Sequence, residues 1–150
     1  MPQSFTAILL HVIFSTKDRI PDLLPDLRER LFPYMGGILV ETGAKPLLID
    51  GTRDHVHMLF SLPAALAVAD VIRVLKANSS PWVHQQFPER RRFAWQAGYG
   101  AFSVSPSLRA SVLRYIAEQE RHHRRMSFQE EFVAFLRRHG IESDPRFLWA

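Results

Sequence analysis

The chain contains no cysteine and no long apolar run, and arginine rather than lysine supplies almost all of its positive charge. The absence of cysteine excludes disulfides, thiolate zinc sites and a cysteine nucleophile. The longest apolar run near the N-terminus, FTAILLHVIF, has the length of a strand and contains His11, to which we assign a structural role. No charged start precedes a long apolar stretch. We therefore expect a soluble, cytoplasmic protein without a membrane-spanning segment.

The composition is that of one globular domain over residues 1–150, since 47% of the residues are apolar and can form a core. The net charge is +4 and the pI is near 10.0. Arginine makes fork-like contacts to phosphate, so this excess of positive charge favours a nucleic-acid partner. The alternative is that the arginines only keep the protein surface soluble.

Four strands and four helices are predicted from apolar periodicity and end signals. The strands cover residues 6–15, 45–50, 55–62 and 101–104, with GTRD as a hairpin connection between the second and third. The first helix opens near Pro25 and should be kinked or divided by Pro33, Gly36 and Gly37 before Gly43. The second covers residues 68–77, the third runs from Ser105 and Pro106 to about Arg125, and the last begins at the capping box Ser127 and Glu130 and ends at Gly140.

The order of these elements is βαββαβ followed by further helices. It predicts an α+β, ferredoxin-like (RRM-like) antiparallel sheet with helices on one face and a C-terminal helical extension. The other face should stay available for a ligand. Between the second helix and the fourth strand, SSPWVHQQFPERRRFAWQAGYG is expected to be an ordered functional loop, because it is basic, aromatic and interrupted by proline.

Two histidines stand one residue apart in the apolar run RDHVHMLFSL. In a strand, His55 and His57 point to one face while Val56, Met58 and Phe60 point to the other. Two adjacent imidazoles suit an ion or a phosphate, but hydrogen-bonded sheet histidines are the commoner case. Since the histidine face should be open, alanine at either position is expected to leave the fold intact.

A tyrosine and an amide share one face of the third predicted helix, because Tyr115 and Gln119 are four residues apart. Either residue alone is commonly structural. Together with HVH on a strand, FAWQAGYGAFSVS ahead of the helix and YIAEQ on it, the chain resembles the single-tyrosine transposases of the HUH endonuclease superfamily. The resemblance extends from HVIFSTKDR through DHVHMLF, LKANSS and YIAEQERHH to FLRRHGI. The absence of Asn-Pro after the tyrosine favours the insertion-sequence branch over relatives associated with repetitive extragenic palindromes (REP).

The resemblance implies a role for each of these residues. Tyr115 is the nucleophile that becomes covalently attached to single-stranded DNA, and His55, His57 and Gln119 bind a divalent cation. It also implies Mg²⁺ or Mn²⁺, a hairpin near the end of a mobile element, and a homodimer in which the tyrosine helix of one subunit usually completes the site of the other. The chemistry of the donors alone leaves Zn²⁺ open, since imidazole suits Zn²⁺ and Mn²⁺. His122 and His123 lie one turn further on and are interpreted as a solvated helix end, with approach to the metal or a phosphate as the alternative.

A basic aromatic segment is the candidate DNA-binding surface. It combines charge that contacts phosphate with rings that stack on unpaired bases, and its predicted residues are Lys76, Arg90, Arg91, Arg92, Trp95 and Tyr99. The alternative is that Trp82 and Trp95 are core residues that anchor a long loop.

The function predicted from these residues is metal-dependent nicking and rejoining of single-stranded DNA by a transposase. The alternative is a non-catalytic ferredoxin-like nucleic-acid-binding module. A replication or plasmid-transfer initiator is disfavoured because such proteins usually carry further domains. The sequence leaves open the target DNA, the cleavage site, the metal, whether the tyrosine acts in cis or in trans, and whether the element still moves.

Overall fold

Four strands form one antiparallel sheet in the computed structural model, which describes residues 2–123 and 125–150. They are β1 (Leu9–Ser15), β2 (Lys45–Gly51), β3 (His55–Ser61) and β4 (Gly100–Val104), in the order β2-β3-β1-β4. The helices are α1 (Pro25–Thr42), α2 (Val68–Gln86), α3 (Arg109–Ala117), α4 (Gln119–His122) and α5 (Phe128–Arg138). The order βαββαβ with a helical C-terminal extension confirms the predicted ferredoxin-like fold.

The main core lies between the sheet and the helices α1 and α2. Alternate residues of the two central strands point into it, among them Phe14 on β1 and Met58 and Phe60 on β3. From α1, Leu27, Leu31, Met35 and Leu39 are fully buried against them. The face opposite the histidines is therefore covered by α1 and α2, as the alternation in β3 predicts.

The histidine face of the sheet is also covered, which corrects the expectation of an open face. A second core consists of Ile13 and Phe102 from the sheet and Phe128, Phe132, Phe135 and Leu136 from α5. The apolar residues of α5 recur at helical spacing and form a stripe that is buried on the sheet. Because α5 covers this face, His55 and His57 have no exposed surface.

Helix α1 is not divided as the sequence predicts. It runs without interruption from Pro25 to Thr42 and includes Pro33. Its buried apolar residues lie on both sides of the proline, so packing against the sheet outweighs the local helix-breaking tendency. The helix ends where predicted, at Gly43, whose φ of 99° is in the left-handed region that glycine adopts easily.

Helix α2 extends further than predicted and takes in the first part of the expected loop. It continues to Gln86 and includes Pro81. Val83 is fully buried, and the ring of Trp82 stacks on Tyr34 of α1 with centroids 4.5 Å apart. The predicted loop is thus helical at its start, and the contacts with α1 account for the difference.

The helix that carries Tyr115 is shorter than predicted. Residues Pro106–Leu108 form a 3-10 turn, α3 begins at Arg109, and the helix is interrupted at Glu118 before the short α4. The predicted helix runs to about Arg125 and therefore includes Arg124, which lies outside the described residues. In contrast, the start of α5 is confirmed, because the hydroxyl of Ser127 accepts a hydrogen bond from the backbone N–H of Glu130 at 3.2 Å.

Across residues 2–123 and 125–150, no helix combines the length and the apolar character needed to cross a membrane.

Candidate active site

The two histidines of β3 lie side by side on one face of the sheet, with ring centroids 5.2 Å apart. The Nδ1 atom of His55 is 2.7 Å from a carboxylate oxygen of Asp54 and 3.0 Å from the hydroxyl of Thr52. The Nδ1 atom of His57 is 2.7 Å from Nε2 of His11. Each ring is thus held through one nitrogen, and its Nε2 atom faces the space under α5.

Tyr115 and Gln119 approach the histidines from the opposite side of that space. The amide oxygen of Gln119 is 3.3 Å from Nε2 of His55, and its amide nitrogen donates to the backbone carbonyl of Tyr115 at 3.2 Å. The rings of Tyr115 and His57 have centroids 6.0 Å apart. The structure therefore brings all four predicted site residues together within a single chain.

Glu131 on α5 is at the centre of the site, and the sequence analysis did not find it. Its oxygen Oε1 lies 2.9 Å from Nε2 of His57 and 3.1 Å from Nε2 of His123, while Oε2 accepts a hydrogen bond from the hydroxyl of Tyr115. The residue is 1% exposed. One signal in the sequence points to it: a glutamate lies on the apolar stripe of an amphipathic helix, where a charge is buried only with partners.

His122 and His123 are part of the site rather than a solvated helix end. His123 contacts both Glu131 and the amide oxygen of Gln119, each at 3.1 Å. His122 stacks on the ring of Tyr115, with centroids 4.4 Å apart. For His123, the structure therefore supports the alternative, in which this histidine lies close to the candidate metal ligands.

A divalent metal ion fits these residues. His55, His57, His123 and Glu131 each offer a ligand atom, and the four atoms lie within 4.8 Å of one another. Imidazole nitrogens and a carboxylate oxygen are donors that transition metals such as Mn²⁺ and Zn²⁺ prefer. The donor set therefore suits a divalent cation.

The charges of the site follow from burial and close contacts. Burial disfavours charge on His57 and lowers its pKa to about 4, so the ring is neutral near pH 7. Burial also opposes charge on His55, but its hydrogen bonds to Asp54 and Glu131 outweigh this and raise its pKa. For Glu131, burial is outweighed by hydrogen bonds from three histidines, so its pKa is lowered and it is a carboxylate. Burial and this carboxylate together raise the pKa of Tyr115, whose phenol is protonated.

A cavity of about 500 Å³ opens beside the hydroxyl of Tyr115, between α4 and α5. Its lining includes Glu131 and the guanidinium-bearing side chains of Arg121, Arg125 and Arg138. All three arginines are exposed residues. Three arginines and two glutamates, Glu118 and Glu131, thus line the approach to the tyrosine.

The residues predicted to contact DNA are in different environments. The ammonium of Lys76 donates to the carbonyl oxygens of Gln96, Ala97 and Gly98, at 2.8, 3.3 and 2.7 Å. These contacts engage its three N–H donors, which gives Lys76 a structural role in holding this segment.

The arginines and aromatic residues of the basic segment also differ from one another. Arg90 forms an ion pair with Asp26 at 2.9 Å, whereas Arg91 and Arg92 are exposed. Trp95 is buried and donates to the hydroxyl of Ser79, so it occupies the core position that was the alternative to base stacking. Tyr99 is half-buried.

The chain belongs to the IS200-like transposase family. The family model described as "Transposase IS200 like" matches residues 4–119, which include His55, His57, Tyr115 and Gln119. This confirms the resemblance, and as a transposase the protein cuts and rejoins DNA. The matched segment ends before α5, so Glu131 lies outside it.

Two transposases show the relationship in sequence. The chain is 25% identical over 114 residues to the ISDra2 transposase TnpA of Deinococcus radiodurans, covering 73% of this chain and 81% of that protein. It is equally similar, at 25% over 114 residues, to the transposase for insertion sequence element IS200 of Salmonella typhimurium, covering 73% of this chain and 74% of the relative.

Two solved structures share the fold. A putative transposase from Deinococcus radiodurans superimposes with a TM-score of 0.64 at 23% identity, over 79% of this chain and 98% of the other. A REP-associated tyrosine transposase bound to a REP hairpin superimposes with a TM-score of 0.60 at 12% identity, over 82% of this chain and 73% of the other.

Proposed function

We propose that this transposase cleaves single-stranded DNA through Tyr115, in a metal-dependent reaction that leaves a 5′-phosphotyrosine link, and then rejoins the ends. The observation that carries the proposal is the contact of the Tyr115 hydroxyl with Glu131, whose other oxygen contacts the histidines. A tyrosine in an apolar core needs only one hydrogen-bond partner for its hydroxyl. The hydroxyl of Tyr115 instead lies beside candidate metal ligands and a cavity that is lined by three arginines.

The reaction forms one bond and breaks another at the same phosphorus atom. The phenolic oxygen of Tyr115 attacks the phosphodiester, the P–O3′ bond breaks, and the released 3′-oxygen takes up a proton as the phenol loses one. The energy of the phosphodiester is kept in the protein–DNA link, so attack by a 3′-hydroxyl reseals DNA without ATP. Cutting and joining then use one site.

The chain contributes the nucleophile, its placement and the charges around it. A phenol with a pKa of ~10 is a weak nucleophile at neutral pH, and burial together with the anionic Glu131 raises the pKa of Tyr115 further. A divalent cation bound by His55 and His57, with Gln119 as the family resemblance implies, would draw charge from the phosphate and from the carboxylate. Arg121, Arg125 and Arg138 line the cavity through which the DNA backbone would reach Tyr115.

The nature of the DNA is part of the same proposal. Hairpin DNA is the expected partner, because one structure with this fold is that of a protein bound to a REP hairpin. Mg²⁺ or Mn²⁺ is the expected metal, and the resemblance implies a homodimer. Within one chain, however, Tyr115 already reaches the histidine site, so the proposed cleavage does not require a tyrosine from a second subunit.

Covalent attachment is the measurement that tests the function. Wild-type protein incubated with a hairpin oligonucleotide and Mn²⁺ should give a protein–DNA adduct on a denaturing gel. Tyr115→Phe should give none while binding the same DNA, and Tyr34→Phe on α1 is the matched control that should keep the adduct. An adduct that persists in Tyr115→Phe would contradict the assignment of the nucleophile. Binding without an adduct in the wild type would instead support the non-catalytic nucleic-acid-binding module.

A further inference from the structure

We propose that Glu131 and His123 are further ligands of the metal ion, so that helix α5 completes the site. The proposal rests on the proposed function in one respect only, that His55 and His57 bind a metal. It adds two ligands to the predicted set, and both lie beyond the segment that the family model matches.

The first argument is the spacing of the donor atoms. Metal–nitrogen and metal–oxygen distances of about 2.1 Å place the ligand atoms of a tetrahedral site roughly 3.4 Å apart. Oε1 of Glu131 lies 2.9 Å from Nε2 of His57, 3.1 Å from Nε2 of His123 and 3.5 Å from Nε2 of His55. All four donor atoms lie within 4.8 Å of one another, so the most widely separated pair would have to close by no more than about 1.4 Å to bind one ion.

The second argument is the outer contacts of the rings. Metal-bound histidines usually have the nitrogen that faces away from the ion held by a carboxylate or another polar group. Asp54 and Thr52 hold Nδ1 of His55, and His11 holds Nδ1 of His57. These contacts leave the two Nε2 atoms facing the carboxylate of Glu131. The ring orientations are thus those of a prepared ligand set.

The third argument is the cost of the buried carboxylate. Glu131 is almost completely buried on the stripe that carries Phe128, Phe132 and Phe135. An anion in such surroundings is expensive unless it is paired, and the ionic contacts of Glu131 are with His55, His57 and His123. A bound cation would place a full positive charge next to the carboxylate. It would also leave Oε2 of Glu131 in contact with Tyr115, which holds the nucleophile next to the metal.

Gln119 has a different set of contacts. Its amide oxygen lies 3.1 Å from Nε2 of His123 and 3.3 Å from Nε2 of His55, and its amide nitrogen is bonded to the carbonyl of Tyr115. It therefore links the two histidines to the helix of the nucleophile. Of the two metals proposed above, three imidazoles and one carboxylate favour Mn²⁺ over Mg²⁺, whose preferred ligands are oxygens.

Metal titration of the full-length protein without DNA tests the proposal. Free Mn²⁺, followed by its electron paramagnetic resonance signal, gives the Kd of the wild type, Glu131→Gln and Glu130→Gln. Glu131→Gln removes a charge at constant shape and should weaken binding at least tenfold, since even outer-shell changes weaken metal sites by about 10–100-fold. Glu130→Gln is the control on the same helix. The glutamine keeps a side-chain oxygen that can accept the hydrogen bond from the hydroxyl of Ser127. The Kd for Mn²⁺ should therefore stay within about twofold of the wild-type value.

One further variant keeps the test decisive. Circular dichroism shows whether Glu131→Gln is folded, and His123→Gln, at a half-buried position, provides an independent measurement if it is not. Mn²⁺ affinity equal to that of the wild type in a folded Glu131→Gln or His123→Gln would overturn the proposal. The failure of this proposal can be distinguished from the failure of the proposed function. Mn²⁺ binding that depends on Glu131, together with no DNA adduct in the wild type, would contradict only the proposed function.

Discussion

His57 and Glu131 are 74 residues apart in the chain, and their side chains meet at 2.9 Å in the interior. One residue comes from the central strand β3 and the other from α5, the last helix. Both are almost fully buried. The contact therefore links His57 to the packing of α5 on the sheet, so we expect a change at either residue to alter the stability of the fold.

We expect His57→Ala to lower the free energy of unfolding by about 1.5–3 kcal/mol, the scale for the loss of a hydrogen bond to a charged group. The alanine leaves the carboxylate of Glu131 without its nearest ring nitrogen and leaves His11 without a partner. This revises the expectation that alanine is harmless on an open face. Urea unfolding in the presence of EDTA measures the effect without any contribution from bound metal.

His57→Gln is the matched control for that experiment. A glutamine amide can still donate to Glu131, so the loss should be less than half of that for alanine. Equal stability of the alanine variant and the wild type would show that the buried contact contributes nothing to folding.

The sequence predicts local features of this molecule well, because short-range physics fixes them. The alternation of β3 separates His55 and His57 from Met58 and Phe60, and Ser127 caps α5 as its spacing with Glu130 indicates. These features depend on residues within one or two turns or along one strand. The order of the elements was enough to give the sheet topology.

The features that sequence reasoning missed depend on contacts between distant segments. Pro33 and Pro81 lie inside helices because packing of α1 and α2 outweighs their local preference. The placement of α5 over the histidines is a tertiary contact that no local pattern encodes. Glu131 lies in the site because its helix packs on the sheet, which is again a contact between distant segments.

Lys76→Met should destabilise the protein by about 1–3 kcal/mol, because three carbonyl oxygens lose a charged hydrogen-bond donor. Arg73→Met on the same helix is the control, since Arg73 is exposed and such changes are usually within about 0.5 kcal/mol. Thermal melting of the two variants gives the comparison. If Lys76→Met melts like the wild type but binds DNA more weakly, the ammonium acts on DNA and not on the fold.

Arg91 and Arg92 are exposed and can therefore contact phosphate, whereas Arg90 forms an ion pair with Asp26. The double variant Arg91→Ala, Arg92→Ala should therefore bind a hairpin oligonucleotide with a weaker dependence on salt. Each lost phosphate contact lowers the slope of log K against log salt concentration by ~0.7 on single strands and ~0.9 on duplex. Arg90→Ala alone should leave the slope unchanged, because its guanidinium already has a carboxylate partner. Adduct formation at saturating DNA should be unaffected in both variants, since the arginines position the backbone and take no part in bond breaking. An unchanged slope in the double variant would make these arginines a solvated surface, and a lost adduct at full occupancy would place them in the active site.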